Sequence, residues 1–149
     1  MYVGEACKRE VVIIGREGSI REAAKLMREH HVGDLVVVEE RDHERHPVGI
    51  LTDRDIVIEI LSQDIDLDSV DIGDAMSFDL LTAREDDDFH ATIKRMRSKG
   101  VRRIPVVDRK GVLLGILAMD DLIEMFAEQL GDLAALITKE QMREREIRV

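Results

Sequence analysis

The sequence predicts an α/β (α+β) fold: two β-α-β-β-α repeats packed about a pseudo-twofold axis, followed by a C-terminal helix. Three observations predict it. First, Val48-Gly49-Ile50-Leu51-Thr52-Asp53-Arg54-Asp55 returns as Leu114-Gly115-Ile116-Leu117-Ala118-Met119-Asp120-Asp121, with Gly-Ile-Leu and an aspartate six places after the glycine in both. Second, a shift of 69 lays Val3–Cys7 on Ile72–Met76, Val11-Val12 on Leu80-Leu81, Met27 on Met96, Val32 on Val101, and Val37-Val38 on Val106-Val107. A longer loop in the first copy then changes the shift to 66, so that Gly49 meets Gly115. Third, each copy passes from short apolar runs to helical spacing and back in one order, strand, helix, strand, strand, helix.

In the first copy Glu10–Ile14 reads as a short apolar strand, and Gly15–Gly18 turns the chain. Ser19 and Glu22 have the spacing of a capping box, in which each side chain satisfies the other residue's free amide. Ile20, Ala23, Ala24 and Met27 then recur on one helical face, which His30-His31 and Gly33 end. Leu35–Glu39 is β-branched and reads as a strand. Glu40–His46 is expected to be a charged hairpin loop, with Val48–Leu51 returning antiparallel. Thr52 or Asp53 should cap a helix through Ile56, Val57, Ile60 and Leu61.

The second copy repeats this with strands at Leu80–Ala83, Ile104–Asp108 and Val112–Leu117, and a helix from Asp88 carrying Phe89, Thr92, Ile93 and Met96. Its last helix starts near Asp120 and is expected to run to about Glu140. Acidic Ser62–Val70 is the linker between copies, placing the boundaries at 1–64, 65–127 and a helical tail at 128–149. In that tail Leu130, Leu133, Ala134, Leu136 and Ile137 form an apolar face, and charged Gln141–Val149 is expected to fray or lie on a partner. Each copy of about sixty residues buries a limited fraction of its surface alone. Packing the two sheets together completes the core.

Composition excludes several functions. The formal charge of −10, with acidic and basic residues mixed along the chain, argues against a nucleic-acid surface, which needs a basic face to displace counterions from phosphates. With no Trp, one Tyr and three Phe, there is no stock of aromatic platforms for stacking bases. One cysteine, Cys7, cannot form an intrachain disulfide, which fits a reducing compartment. Neither a signal segment nor a membrane-spanning apolar run is found, so a cytoplasmic location is expected. Cys7 matches Met76 across the repeat and is expected to pack as a small apolar residue. His43-x-x-His46 with His30-His31 lacks a third ligand at metal-site spacing, and no metal is expected. No nucleophile–base arrangement suggests an active site.

Thr52 and Asp55 fall at the N-terminal turn of a helix, where unpaired amides and the dipole favour an anion. The Thr52 hydroxyl can hold a phosphate, and Asp55 can accept both hydroxyls of a ribose. Arg54 adds charge. Thr-x-x-Asp is also a plain helix cap, a reading that recurrence in the second copy weakens.

The element order, the Gly49-Ile-Leu-Thr52-x-x-Asp55 ending and the string Val101-Arg102-Arg103-Ile104-Pro105-Val106-Val107-Asp108 resemble the cystathionine-β-synthase (CBS) domain family over about residues 3–127. The resemblance implies a non-enzymatic regulatory module that binds an adenosine-containing ligand between its copies: AMP, ADP, ATP, NAD or S-adenosylmethionine. It also implies a homodimer in a flat disc and a regulated partner protein. Carried over, the ribose carboxylate falls on Asp55 (Asp121 in the second copy) and the phosphate hydroxyl on Thr52. Phosphate-facing basic residues fall on Arg102 and Arg103, beside Ile104. Adenine is expected near Leu81-Thr82 or Val12-Ile13.

The pattern is not kept throughout. Ala118 removes the hydroxyl in the second copy, and Gly33-Asp34 stand where the second copy has Arg102-Arg103. One competent site is therefore expected at Thr52, Arg54, Asp55, Leu81, Thr82, Arg102, Arg103 and Ile104. A weaker one is expected at Val12, Ile13, Asp34, Leu35, Ala118 and Asp121. The rival reading is a ligand-free scaffold that oligomerises through apolar helices.

Overall fold

Each copy builds a three-stranded sheet. The computed structural model describes residues 1–148, and the strand orders are β1-β2-β3 and β4-β5-β6. The first sheet comprises β1 (Ile13–Gly15), β2 (Asp34–Arg41) and β3 (Glu44–Thr52), with α1 (Val3–Ala6) before it and α2 (Ile20–His30) between β1 and β2. A short α3 (Asp53–Asp55) follows and continues as a π-helical stretch, Ile56–Leu61. The second copy has α4 (Ile72–Ala75), β4 (Ala83–Arg84), α5 (Phe89–Lys99), β5 (Arg103–Val107) and β6 (Leu113–Ala118). The chain divides into two units, Met1–Leu117 and Ala118–Val149, the second being helix α6 (Met119–Ile147).

Local chemistry accounts for the elements. Ser19 Oγ accepts the Glu22 amide at 3.1 Å while Glu22 accepts the Ser19 amide at 3.4 Å, closing the expected capping box of α2. Ile20, Ala23 and Met27 form its buried face. Helix α5 starts on Asp88, whose carboxylate accepts the Ala91 amide at 2.9 Å, and ends on Gly100 at φ +71°, a left-handed stop that favours glycine. β1 runs parallel to β2 and β2 antiparallel to β3.

Three boundaries differ from expectation. Only Ile13–Gly15 and Ala83–Arg84 ladder as first strands; of the apolar residues ahead of β1, Val12 keeps a single bond to β2, its carbonyl accepting the Val36 amide at 3.1 Å. The expected loop at Glu40–His46 is a tight hairpin, since Asp42 and His43 adopt φ +52° and +64°. Positive φ at both central residues matches the twist of the strands and lets Arg41–Glu44, Glu40–Arg45 and Glu39–His46 pair across the ladder. Helix α6 is continuous to Ile147 rather than fraying from Gln141; Val149 lies outside the described residues.

The copies are interleaved. The leading segment of each docks on the other: the Gly4 amide donates to the Glu85 carbonyl at 2.9 Å, and the Gly73 amide to the Arg16 carbonyl at 2.8 Å. Ile72 and Met76 consequently join the first copy's core with Ile14, Ile20, Met27, Leu35, Val37 and Leu51. Isolated bridges Lys8–Ile116 and Ile50–Ser77 stitch the crossing chain onto the last strand of the opposite sheet.

This crossing explains the repeated glycine. A Cβ on Gly49 would lie 2.6 Å from Met76 Sδ and 2.8 Å from the Ser77 carbonyl oxygen. One on Gly115 would lie 2.5 Å from the Lys8 carbonyl oxygen and 3.0 Å from Cys7 Sγ. Close backbone approach therefore requires glycine at both places. Cys7 and Met76, matched in the repeat, thus hold equivalent places over the two glycines, and burial raises the Cys7 thiol above its usual range.

Candidate ligand cavity

The end of β3 sets the first two residues of the site. Thr52, extended at φ −108°, is the N-cap of α3. Its hydroxyl accepts the Asp55 amide at 3.0 Å, and Asp55 Oδ2 accepts the Thr52 amide at 3.0 Å. The capping reading and the ligand reading are therefore compatible. The cap satisfies the local amides and locks the hydroxyl and carboxylate on one turn. Asp55 Oδ1 makes no hydrogen bond among those found in the described residues. The π-helical hydrogen bond from the Ser62 amide to the Val57 carbonyl, 2.9 Å, follows two residues after Asp55. Such wide turns cost regularity and recur beside functional sites.

Thr52 and Asp55 line a cavity of about 290 Å³ with Asp34, Ser77, Asp79, Leu80, Leu81, Arg102 and Arg103. That size lies at the lower end of small-molecule pockets, roughly 300–1,000 Å³. Leu80 and Leu81 supply apolar wall from the second copy, Ile50 from the first. Arg103 Nε donates to Asp34 Oδ1 at 3.0 Å, with side chains 32% and 10% exposed. At the rim, Lys99 Nζ meets Asp79 at 2.6 Å.

Of the residues expected to form the stronger site, Thr52, Asp55, Leu81, Arg102 and Arg103 border one cavity, and Arg54, Thr82 and Ile104 do not. Arg54 is exposed on α3. Ile104 is fully buried in the sheet, because alternation along β5 turns it to the opposite face from Arg103. The Thr82 carbonyl accepts Arg95 Nη2 at 2.8 Å, tying that residue to α5.

Asp34, expected beside the weaker site, lines the same cavity as Thr52. The reason is register: β2 and β3 run antiparallel, and Asp34 is the direct ladder partner of Thr52. Leu35, the next residue, is fully buried on the other face. Val12 and Ile13 are half-buried at β1, where the Val12 carbonyl accepts the Val36 amide at 3.1 Å. In the C-terminal unit, Ala118 precedes α6 without a side-chain cap and Asp121 sits in its first turn. The hydroxyl that caps α3 thus has no counterpart at α6.

Sequence reasoning missed Ser77 and Asp79. Their signal lay in the interleaving: the Ser77 amide donates to the Ile50 carbonyl at 3.0 Å, which brings the stretch before β4 across the end of β3. Among the described residues no cluster of His, Cys, Asp or Glu could hold a metal ion, and no helix is long and apolar enough to cross a membrane.

Two interleaved β-α-β-β-α copies with a cavity between them define a tandem-repeat α/β pair. The CBS domain model matches residues 3–62 and 72–128, and the chain belongs to the CBS domain family. An uncharacterized protein of Methanopyrus kandleri is 40% identical over 123 residues, covering 83% of this chain and 61% of that protein; this chain therefore spans less than two thirds of that relative. The CBS domain-containing protein YhcV of Bacillus subtilis is 32% identical over 120 residues, 80% of this chain and 81% of that one. The solved CBS domain pair of protein MJ0100, in complex with 5′-methylthioadenosine and S-adenosyl-L-methionine, superposes with a TM-score of 0.74 at 26% identity over 87% of this chain and 98% of that one. A CBS domain protein from Pyrobaculum aerophilum complexed with AMP gives 0.73 at 28% identity over 82% and 90%.

Proposed function

We propose that this chain is a non-enzymatic regulatory module that binds an adenosine-containing ligand in the cavity between its copies. The observation that carries this reading is the meeting, around one cavity, of a positioned hydroxyl and carboxylate (Thr52, Asp55) with two arginines of the other copy (Arg102, Arg103). Asp55 accepts the ribose hydroxyls, Thr52 and Arg102 take the group beyond the ribose, and Leu80-Leu81 flank the base. The AMP, methylthioadenosine and S-adenosylmethionine complexes of structurally similar CBS proteins support the ligand class. Ligand binding acts by favouring one arrangement of the copies, since only differential affinity shifts such an equilibrium.

The charge around the cavity narrows the choice. Three carboxylates (Asp34, Asp55, Asp79) border it with two guanidiniums and, at the rim, the Lys99 ammonium, and Asp34 and Asp79 are bonded to Arg103 and Lys99. A triphosphate meets no surplus of positive charge there, and electrostatic complementarity favours ligands with one phosphate or none. The order expected is methylthioadenosine, S-adenosylmethionine and AMP ahead of ADP, ATP and NAD.

A thermal-shift series with these six ligands, run beside Asp55→Asn, tests the reading. At about a hundred times its dissociation constant a ligand stabilises the fold by roughly 2.7 kcal/mol. A shift that Asp55→Asn cuts to about half or less supports the module. No shift with any of the six, in folded protein, returns the assignment to the ligand-free scaffold.

A further inference from the structure

The C-terminal helix carries an apolar seam that the ligand reading does not use, running from the last helix of the second copy (Ile123, Phe126) on into the tail. Helix α6 runs 29 residues, about 44 Å at 1.5 Å per residue. Ile123, Phe126, Leu130, Leu133 and Ile137 recur along it at alternating spacings of three and four, and all are exposed at 39–67%. That is the a/d pattern of a helix pair, in which knobs of one helix enter holes of the other. Ala127 and Ala134 lie beside the seam, small enough for close approach. Gly131, in mid-helix, disfavours a lone helix by about 1 kcal/mol. Helical stability in water comes mostly from packing an apolar face.

We propose that this seam pairs, antiparallel, with the same helix of a second copy of the chain. Charge decides both occupant and direction. Residues 119–132 carry Asp120, Asp121, Glu124, Glu128 and Asp132 with no basic residue, whereas residues 133–148 hold all four basic residues, Lys139, Arg143, Arg145 and Arg148, against three glutamates. Continued, the a/d pattern falls on Glu140 and Glu144 before Ile147. A parallel pair stacks each glutamate on its own copy inside the seam and lays the acidic half on the acidic half. An antiparallel pair sets Phe126 against Ile137 and Leu130 against Leu133, twice each by symmetry, and keeps the glutamates apart, each Glu140 facing Ile123 of the second copy at the ends of the seam. It also lays the acidic half along the basic one. The helix complements itself in that direction alone, so a second copy suffices as the partner.

Spin-label distances in the full-length chain test this. With Cys7→Ala as background, nitroxides are placed singly at Asp132→Cys and Arg145→Cys. The pairing axis falls between Gly131 and Asp132, so the Asp132→Cys labels should lie close, within about 20 Å. The Arg145→Cys labels should lie roughly 40 Å apart, from 1.5 Å per residue on each side of the axis. Adding Leu130→Asp and Leu133→Asp should abolish the short distance while circular dichroism shows the fold retained. Two short distances would mean a parallel pair and overturn the proposal. So would the absence of a short distance at Asp132→Cys, including the case of a dimer formed through another face.

Discussion

Asp34 and Arg103 occupy the same position in the two copies, 69 residues apart, and bond to each other at 3.0 Å. A pair related by the repeat meets only where the pseudo-twofold axis passes, so this bond marks the axis, and the cavity lies on it. Opposite charges at equivalent positions also make the two halves of the cavity chemically different.

Breaking that pair in either direction has separable effects. Arg103→Ala removes the Arg103 bond to Asp34, whose side chain is only 10% exposed, and should lower stability by roughly 1–3 kcal/mol, roughly 2–12 °C in Tm for a chain of this size. Asp34→Asn keeps an acceptor for Arg103 and removes a negative charge. AMP affinity by calorimetry should rise about tenfold, about 1.4 kcal/mol, with methylthioadenosine, which has no phosphate, unchanged.

Thr52 and Asp55 serve the helix and the proposed ligand together, and substitutions divide the two roles. Thr52→Ala removes the cap and should cost about 1 kcal/mol of stability without any ligand. Asp55→Asn retains an oxygen for the Thr52 amide, so its apo melting temperature should stay near that of the unmodified chain. Its ligand affinity should fall about 10–100-fold, the loss of a hydrogen bond to a charged acceptor. Equal effects of both variants on apo stability would assign the motif to capping alone.

Gly49→Ala and Gly115→Ala should each destabilise the fold by about 1–3 kcal/mol in urea titrations, because the new methyl meets backbone or sulfur of the crossing segment. Gly15→Ala is the control, since nothing lies within 4 Å of a Cβ there, and it should leave the midpoint nearly unchanged.

The second hairpin has an acid-sensitive turn. The amide of Val112 above all, and that of Lys110, donate to Asp108 Oδ1 at 3.0 and 2.8 Å and hold its carboxyl below the usual 3.8. A lowered folded value means the turn's stabilisation is complete above about pH 3.8 and is lost as pH falls through the folded value. An NMR titration of the Asp108 carboxyl carbon should show a midpoint below 3.8, with the Lys110 and Val112 amide signals moving at the same midpoint. In Asp108→Asn that step should vanish.

Whatever rests on neighbours in the chain was legible before the structure. Ser19 and Glu22 cap α2 because both bonds close within one turn, and Met27 is buried because helical spacing puts it on the face of Ile20. The duplication and the antiparallel return of β3 were equally readable, and the family followed from the two copies of Gly-Ile-Leu-x-x-x-Asp. Local pattern also led to Thr52 and Asp55, which are three residues apart on one turn.

The tertiary structure decided what meets across the axis. Repeat alignment equates Asp34 with Arg103 and so points it to the other half, whereas ladder register pairs it with Thr52 and brings it to the same cavity. Ser77 and Asp79 reach the cavity only because the segment before β4 crosses the opposite sheet, and the need for glycine at 49 and 115 comes from that crossing. Spacing along the chain determines caps, faces and repeats, since those interactions span a few residues. Which charges share a cavity depends on contacts between positions some fifty to seventy residues apart, and those distances exist only once the two copies have interleaved.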